Sequence, residues 1–272
     1  MKARIVLLVC VVSLGLGMGF VASSRSISSL EEESPTAVQD GVMTTQQKEH
    51  SKLYKKYNSN RKIPDLARKE KGDVEVYRLS PLGADVSAGP TPTTTDILKR
   101  ATCDSAAVVL GVVKSKSSQL TEDESFVFTD YEITIEQVLK DNDAASIRPN
   151  GEITITRPGG TLLLNRKKVR AIDESFRALK VGQQYLLFLE FLPATGTYKS
   201  IESGESFEVQ RNKIKSLKKE SLDRFAADYE ASSLIDQVRL AATIPCDGGK
   251  GGVNAQKCMI QVVRTLATGR GM

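Results

Sequence analysis

The chain has no tryptophan and a single histidine, His50. One imidazole excludes any site that needs two, such as a two-His zinc centre or a His-bridged metal pair. No G-x-S-x-G nucleophile elbow is present. The glycine-rich run Gly248-Gly249-Lys250-Gly251-Gly252 lacks the order of a phosphate-binding loop. Asp141-Asn142-Asp143 has neither the glycine nor the closing glutamate that a calcium loop requires, and it reads as a polar turn. Twenty glycines without a G-x-y period exclude collagen. A hydrophobic share of 40%, a charged share of 26% and a mean hydropathy of −0.23 exclude both a polytopic membrane protein and a wholly disordered chain. With 272 residues the chain is long enough for one sizeable core or two small ones.

The strongest positive signal is at the start. Lys2 and Arg4 precede a continuous run of apolar and small residues from Ile5 to Val21. Val21 and Ser23 then place small or β-branched residues where a signal peptidase reads them. The reading is a signal peptide over 1–23, with no stable membrane span after its removal; an uncleaved anchor is the competing reading, because the 17 residues from Ile5 to Val21 sit at the bottom of the spanning range. Its loss lowers the net charge from +5 to +3, because Lys2 and Arg4 go with it. Such a small charge does not argue for a specific nucleic acid. The expected location is secreted or periplasmic, where disulfides persist.

Three cysteines remain after cleavage: Cys103, Cys246 and Cys258. Cys246 and Cys258 flank a glycine-rich loop, and a local disulfide between them is expected. Closing such a loop is worth roughly 3 kcal/mol in the chain-entropy model. Cys103 is then odd. Pairing of Cys103 with Cys246 or Cys258 is the competing arrangement.

Residues 24–94 read as a flexible tether. Glu31-Glu32-Glu33 is acidic, Lys48 to Lys71 carries nine basic residues, and Ala84 to Thr95 is a Pro/Thr/Gly linker. Within it, a short helix around Gln46 to Tyr57 and an edge strand from Val74 to Leu79 are the only candidates for order. The next segment, 95–212, is the expected β-domain. It opens with helical turns from Thr95 to Ala101. Strands are then expected at Ala106–Val113, Phe126–Leu139, Glu152–Arg157, Leu162–Leu164, Val169–Ile172 and Gln184–Leu192. The apolar phase in Phe126–Leu139 shifts between Phe128 and Tyr131, as a β-bulge at Thr129-Asp130 would make it do. Thr197–Ile201 and Ser206–Val209 read as a terminal hairpin. Residues 213–272 form a helical tail, with Ser233 to Asp236 as a capping box and Asn254 starting a last helix. The fold class is β-rich α+β: a small closed or partly open OB-like barrel, a long disordered N-terminal segment and a helical tail.

Cys103 through Val113, Tyr131 through Lys140, and Leu179 through Leu189 together resemble the OB-type barrel of netrin-like modules. Similar exported bacterial proteins share the pattern. The resemblance spans about 103–210 and implies a five-stranded barrel used for binding. The free N-terminal cysteine by which inhibitory members of that family reach a metalloprotease zinc has no counterpart, because Cys103 is internal.

The functional expectation is a non-catalytic binding or interaction module of the cell envelope or extracellular space, whose partner is an unidentified protein or an anionic polymer. No cofactor, metal or catalytic residue is expected. A Cys103–His50 catalytic pair is disfavoured, because His50 falls in the tether. Two alternatives stand beside this reading. The first is a barrel that binds an anionic glycan or nucleic acid through Arg166, Lys167, Lys168, Arg170, Lys213 and Lys215. The second is a hydrolase without a familiar motif.

Overall fold

A computed structural model describes residues 36–37, 43–55, 62–78, 93–173, 175–201, 206–217 and 230–246. In chain order the elements are β1 (Thr36–Ala37), α1 (Thr45–Tyr54), α2 (Ile63–Lys69), β2 (Val74–Arg78), α3 (Thr94–Asp104), β3 (Ala107–Leu120) and β4 (Val127–Lys140). They continue with β5 (Glu152–Pro158), β6 (Gly160–Leu164), β7 (Lys167–Asp173), β8 (Gln184–Leu192), β9 (Thr197–Ser200), β10 (Phe207–Gln210), β11 (Lys213–Ser216) and α4 (Ala231–Thr243). Among these residues no helix is long and apolar enough to cross a membrane. The signal-peptide reading of 1–23 lies outside them.

Seven strands pair in the order β11-β10-β8-β3-β4-β5-β9, and β9 also pairs back onto β8. The strands β8, β3, β4, β5 and β9 therefore form a closed hydrogen-bonded ring. Strands β3, β4 and β5 are sequential antiparallel neighbours, and β8 returns beside β3 as a Greek-key strand does. The ring closes through a parallel pairing, Ile155 opposite Tyr198.

Alternation decides what fills the ring. Val109 and Val113 of β3, Tyr131, Ile133 and Ile135 of β4, Ile155 of β5 and Tyr185, Leu187 and Leu189 of β8 share one buried cluster. Their odd-numbered spacing is that of a single strand face. The even-numbered neighbours Val108, Leu186 and Phe188 point the other way. There they meet Leu98 and Ala101 of α3 and Leu234 and Val238 of α4. Both faces of β3 and β8 are thus buried, which explains their continuous apolar sequence. Strand β3 passes so close to β4 at Gly111 that a Cβ there would stand 2.7 Å from Ile133 Cγ2 and 2.8 Å from the Thr134 carbonyl oxygen.

A second sheet pairs in the order β1-β6-β7-β2, with β1 parallel to β6 and β2 parallel to β7. Helix α2 lies on it through Ile63 and Ala67, packed with Val74, Leu162 and Val169. Pro64 falls in the first turn of α2, where no amide donor is needed. Gly160 joins this sheet to the ring. It sits at φ +145°, and a Cβ there would overlap the hydroxyls of Thr129 and Ser118.

Several expectations need correction. The stretch 24–94 is not a tether throughout, because 43–55 and 62–78 form packed elements. Composition concealed this: α1 docks through polar side chains and α2 through only Ile63, Leu66 and Ala67. The edge-strand reading of Val74–Leu79 holds as β2. Second, β9 and β10 do not form a hairpin with each other. Both lie along the same edge of β8, β9 at Leu189–Leu192 and β10 at Gln184–Leu186. Third, Lys213–Ser216 is a strand, paired with β10, where a helical tail was expected.

The fourth correction is the disulfide. Cys246 is bonded to Cys103, with the Cα atoms 5.5 Å apart and a sequence separation of 143. Packing supplies the reason. Leu98 and Ala101 of α3 lie against Ala231, Leu234 and Val238 of α4. Cys103 lies in the last turn of α3, and Cys246 follows Pro245 just past α4, so the helix pair carries the two sulfurs together. The glycine loop gives freedom to a Cys246–Cys258 bridge, but freedom does not bring partners together as packing does. Cys258 and the expected final helix lie outside the described residues.

Candidate functional site

Helix α1 begins with a capping box. The Thr44 hydroxyl accepts from the Gln47 amide at 3.2 Å, and the Gln47 side chain accepts from the Thr44 amide at 2.7 Å. Of its ten residues only His50, Ser51 and Tyr54 are buried. The spacing i, i+1, i+4 puts them on one face, which lies on the outside of the ring over β4, β5 and β9.

His50 is fully buried and uses both ring nitrogens. Nδ1 is 2.9 Å from Asp130 Oδ1 on β4, and Nε2 is 2.8 Å from Thr197 Oγ1 on β9. The neutral tautomer that donates from Nδ1 to the carboxylate accepts the Thr197 hydroxyl at Nε2. Thr197 Oγ1 also lies 2.6 Å from Thr195 Oγ1. The tight turn from Leu192 to Gly196 sets those two hydroxyls side by side, with Gly196 at φ +66°. Tyr54 stacks on Phe128 of β4, with centroids 5.9 Å apart and planes inclined by 23°. His50 meets the same Phe128 ring edge-on at 6.4 Å. The Tyr54 hydroxyl reaches Thr156 Oγ1 of β5 at 3.5 Å. At the rim the Ser51 hydroxyl accepts from the Glu122 amide at 2.6 Å, and Lys55 pairs with the Glu122 carboxylate at 2.9 Å. That hydrogen bond raises the Lys55 ammonium and lowers the Glu122 carboxyl relative to their ordinary values.

Sequence reasoning missed this site because it set His50 aside as part of a tether. One signal was available. The apolar phase of the strand shifts from Phe126 and Phe128 to Tyr131, Ile133 and Ile135. The structure has no bulge at Thr129-Asp130: Asp130, Thr129 and Phe128 pair in unbroken register with Ser117, Ser118 and Gln119. The shift marks a change of covered face. Tyr131 and its successors fill the ring, while Phe128 points outward beneath α1. An outward-facing apolar residue on a ring strand implies a cover.

Among the basic residues singled out from the sequence, Lys167 and Arg170 meet local partners through their side chains. Lys167 donates to the Ala67 and Glu70 carbonyls and so caps the C-terminus of α2. The Lys168 amide donates to Asp73 at 3.0 Å, and Arg170 lies 3.7 Å from Glu75. Arg166 occupies the β6–β7 turn at φ +64°. Lys213 and Lys215 stand on β11 in the other sheet, opposite Gln210 and Glu208. The six residues are therefore divided between two sheets. Asp141, set aside as a polar turn, accepts from the Ile147 and Asn142 amides and the Ser146 hydroxyl, each at 2.8 Å. These bonds, the Ile147 amide first, hold its carboxyl below the usual range.

No protein-family model and no curated protein matches the chain.

Proposed function

We propose that the chain is an exported, non-catalytic binding module built on an OB-type barrel. The five-stranded ring, the Greek-key return of β8 beside β3 and the parallel β5–β9 closure support the barrel reading. The Cys103–Cys246 bond supports an oxidising compartment, hence a secreted or periplasmic location.

One observation carries the non-catalytic reading. Asp130, His50 and Thr197 are linked in the order of an acid–base–nucleophile chain. The base rides on α1, and α1 is also what covers the Thr197 hydroxyl. A substrate could reach that hydroxyl only if α1 lifted, and lifting α1 removes His50 from it. Opening the site therefore dismantles the chain, and the hydrogen bonds act as a clasp between helix and barrel.

The test is covalent labelling of the full exported chain with a fluorophosphonate, read by intact mass and peptide mapping. No adduct on Thr197 is expected. An adduct there that disappears in Thr197→Val, with the fold intact by circular dichroism, would overturn the reading in favour of a hydrolase.

A further inference from the structure

Among the described lysines and arginines, Arg157 alone is buried, at 5% exposed. It stands on β5 one residue past the Thr156–Lys199 pair that closes the ring. Alternation puts its side chain on the face of Ile155, which fills the ring, and opposite Thr129 of β4. A guanidinium carries a full charge and five N–H donors, and burying it is costly unless both are matched.

The surroundings of Arg157 match them only in part. Nη1 donates to the Arg177 carbonyl at a long 3.3 Å, and the Phe176 ring lies against the guanidinium, with its centroid 5.2 Å from Cζ. Among the described residues, Nε and Nη2 have no acceptor and the charge has no carboxylate partner. The neighbouring hydroxyls do not fill the gap. Thr129 Oγ1 donates to the Gly159 carbonyl at 2.7 Å and takes the Ser118 hydroxyl at 2.8 Å. Tyr185 is held neutral, because burial pushes its phenol well above the ordinary range against the opposing pulls of the Lys180 amide and Arg157. It therefore supplies no counter-charge.

The edge left open is a defined one. With Nη1 taken, Nε–H and Nη2–H remain as parallel donors on one side of a planar group. Their spacing is the one that the two oxygens of a carboxylate accept in a bidentate pair. The Arg177 amide donates to the Leu217 carbonyl at 2.7 Å, and Leu179 packs into the ring core, so the segment that carries Phe176 is anchored. The donors are thus set in place before a ligand arrives. At 5% exposure only the end of a molecule reaches them, not the repeating backbone of a polymer. One guanidinium balances one negative charge. A carboxylate carries one, whereas a phosphomonoester carries about two at neutral pH and would bury the excess.

We propose that Arg157 and Phe176 form a binding site for a single carboxylate, presented by a small organic acid or by the C-terminus of a peptide. The proposal rests on the binding-module reading and gives it a ligand class at a place apart from α1.

The experiment is NMR titration of the full chain with acetate, with an acetylated alanine tripeptide that ends in a free carboxylate, with the C-terminal amide of that tripeptide and with inorganic phosphate, all at constant ionic strength. The readout is the Arg157 Nε–H signal, assigned from side-chain correlations. It should shift saturably with acetate or with the free-ended tripeptide and stay still with the amide. Tighter binding of acetate identifies a small acid as the ligand, and tighter binding of the tripeptide identifies a chain terminus. Arg157→Lys keeps the charge but not the parallel donors, and should weaken carboxylate binding by about tenfold or more. Should that variant lose its fold, the contrast between the tripeptide and its amide on the wild type still decides. An Arg157 signal unmoved by both carboxylates overturns the proposal. Tighter binding of phosphate than of either carboxylate overturns it too, as does unchanged carboxylate affinity in a folded Arg157→Lys. A fluorophosphonate adduct on Thr197 would contradict the non-catalytic reading while leaving this site in place, so the two failures are distinct.

Discussion

Replacing Cys246 by Ser should lower the stability of the chain far more than replacing Cys258. The Cys103–Cys246 bond closes a loop across a sequence separation of 143. In the chain-entropy model a loop of that length restricts the unfolded chain by about 5 kcal/mol, against roughly 3 kcal/mol for a short local loop. For a protein of this size each kcal/mol moves the thermal midpoint by about 2–4 °C. The expected loss is therefore on the order of 10–20 °C for Cys246→Ser, with nearly the same loss for Cys103→Ser. The double Cys103→Ser/Cys246→Ser variant should be no worse than either single one, because one bond is removed in all three. Cys258→Ser should leave the midpoint within a degree or two. Thermal unfolding by circular dichroism without reductant reads all four, and non-reducing peptide maps identify the bond. A large loss in Cys258→Ser together with no loss in Cys103→Ser would refute the reasoning and restore the local staple.

His50→Ala should weaken the docking of α1 more than it weakens the ring of strands. Loss of a hydrogen bond to a charged partner is worth about 1.5–3 kcal/mol, so amide protection in 45–54 should fall at least tenfold while the midpoint barely moves. Gly160→Ala should destabilise the chain by roughly 2–4 kcal/mol in urea unfolding, since the left-handed backbone and the overlap with Thr129 and Ser118 both oppose a Cβ. Asp141 contributes stability with a definite sign: its folded carboxyl titrates below the unfolded value near 3.9. Its contribution is complete above that value and is lost as pH falls through the lower folded one. Asp141→Ala should therefore lower the midpoint at pH 7 and flatten the acid limb of a stability–pH curve below about pH 4.

Much of the fold was legible in local pattern. The apolar runs of β3 and β8 and the alternation in β4 mark elements that form, because strand faces are encoded within a few residues. Order contributed from elsewhere in the chain was not legible. The short helix expected around Gln46–Tyr57 forms as α1, but it has almost no apolar stripe of its own, and only the ring beneath it explains why Thr45–Tyr54 is packed. The partner of Cys246 was hidden for the same reason, since it is selected by the contact of α3 with α4 across most of the chain. The β9–β10 hairpin was misread because two successive strands on one edge of β8 carry the same spacing as a hairpin. The candidate site had one trace in sequence, the change of buried face after Phe128, and that trace also fits a bulge.

The central claim is that α1 is a cover held by a polar clasp on the closed ring of strands. Native-state amide hydrogen exchange on the full chain tests it most directly. The claim predicts that amides in 45–54 open through a partial unfolding, at a lower free energy than those of β8 and α3, and with a smaller dependence on denaturant. Exchange of 45–54 at the same free energy and with the same denaturant dependence as β8 would make α1 an integral part of the core and would contradict the claim.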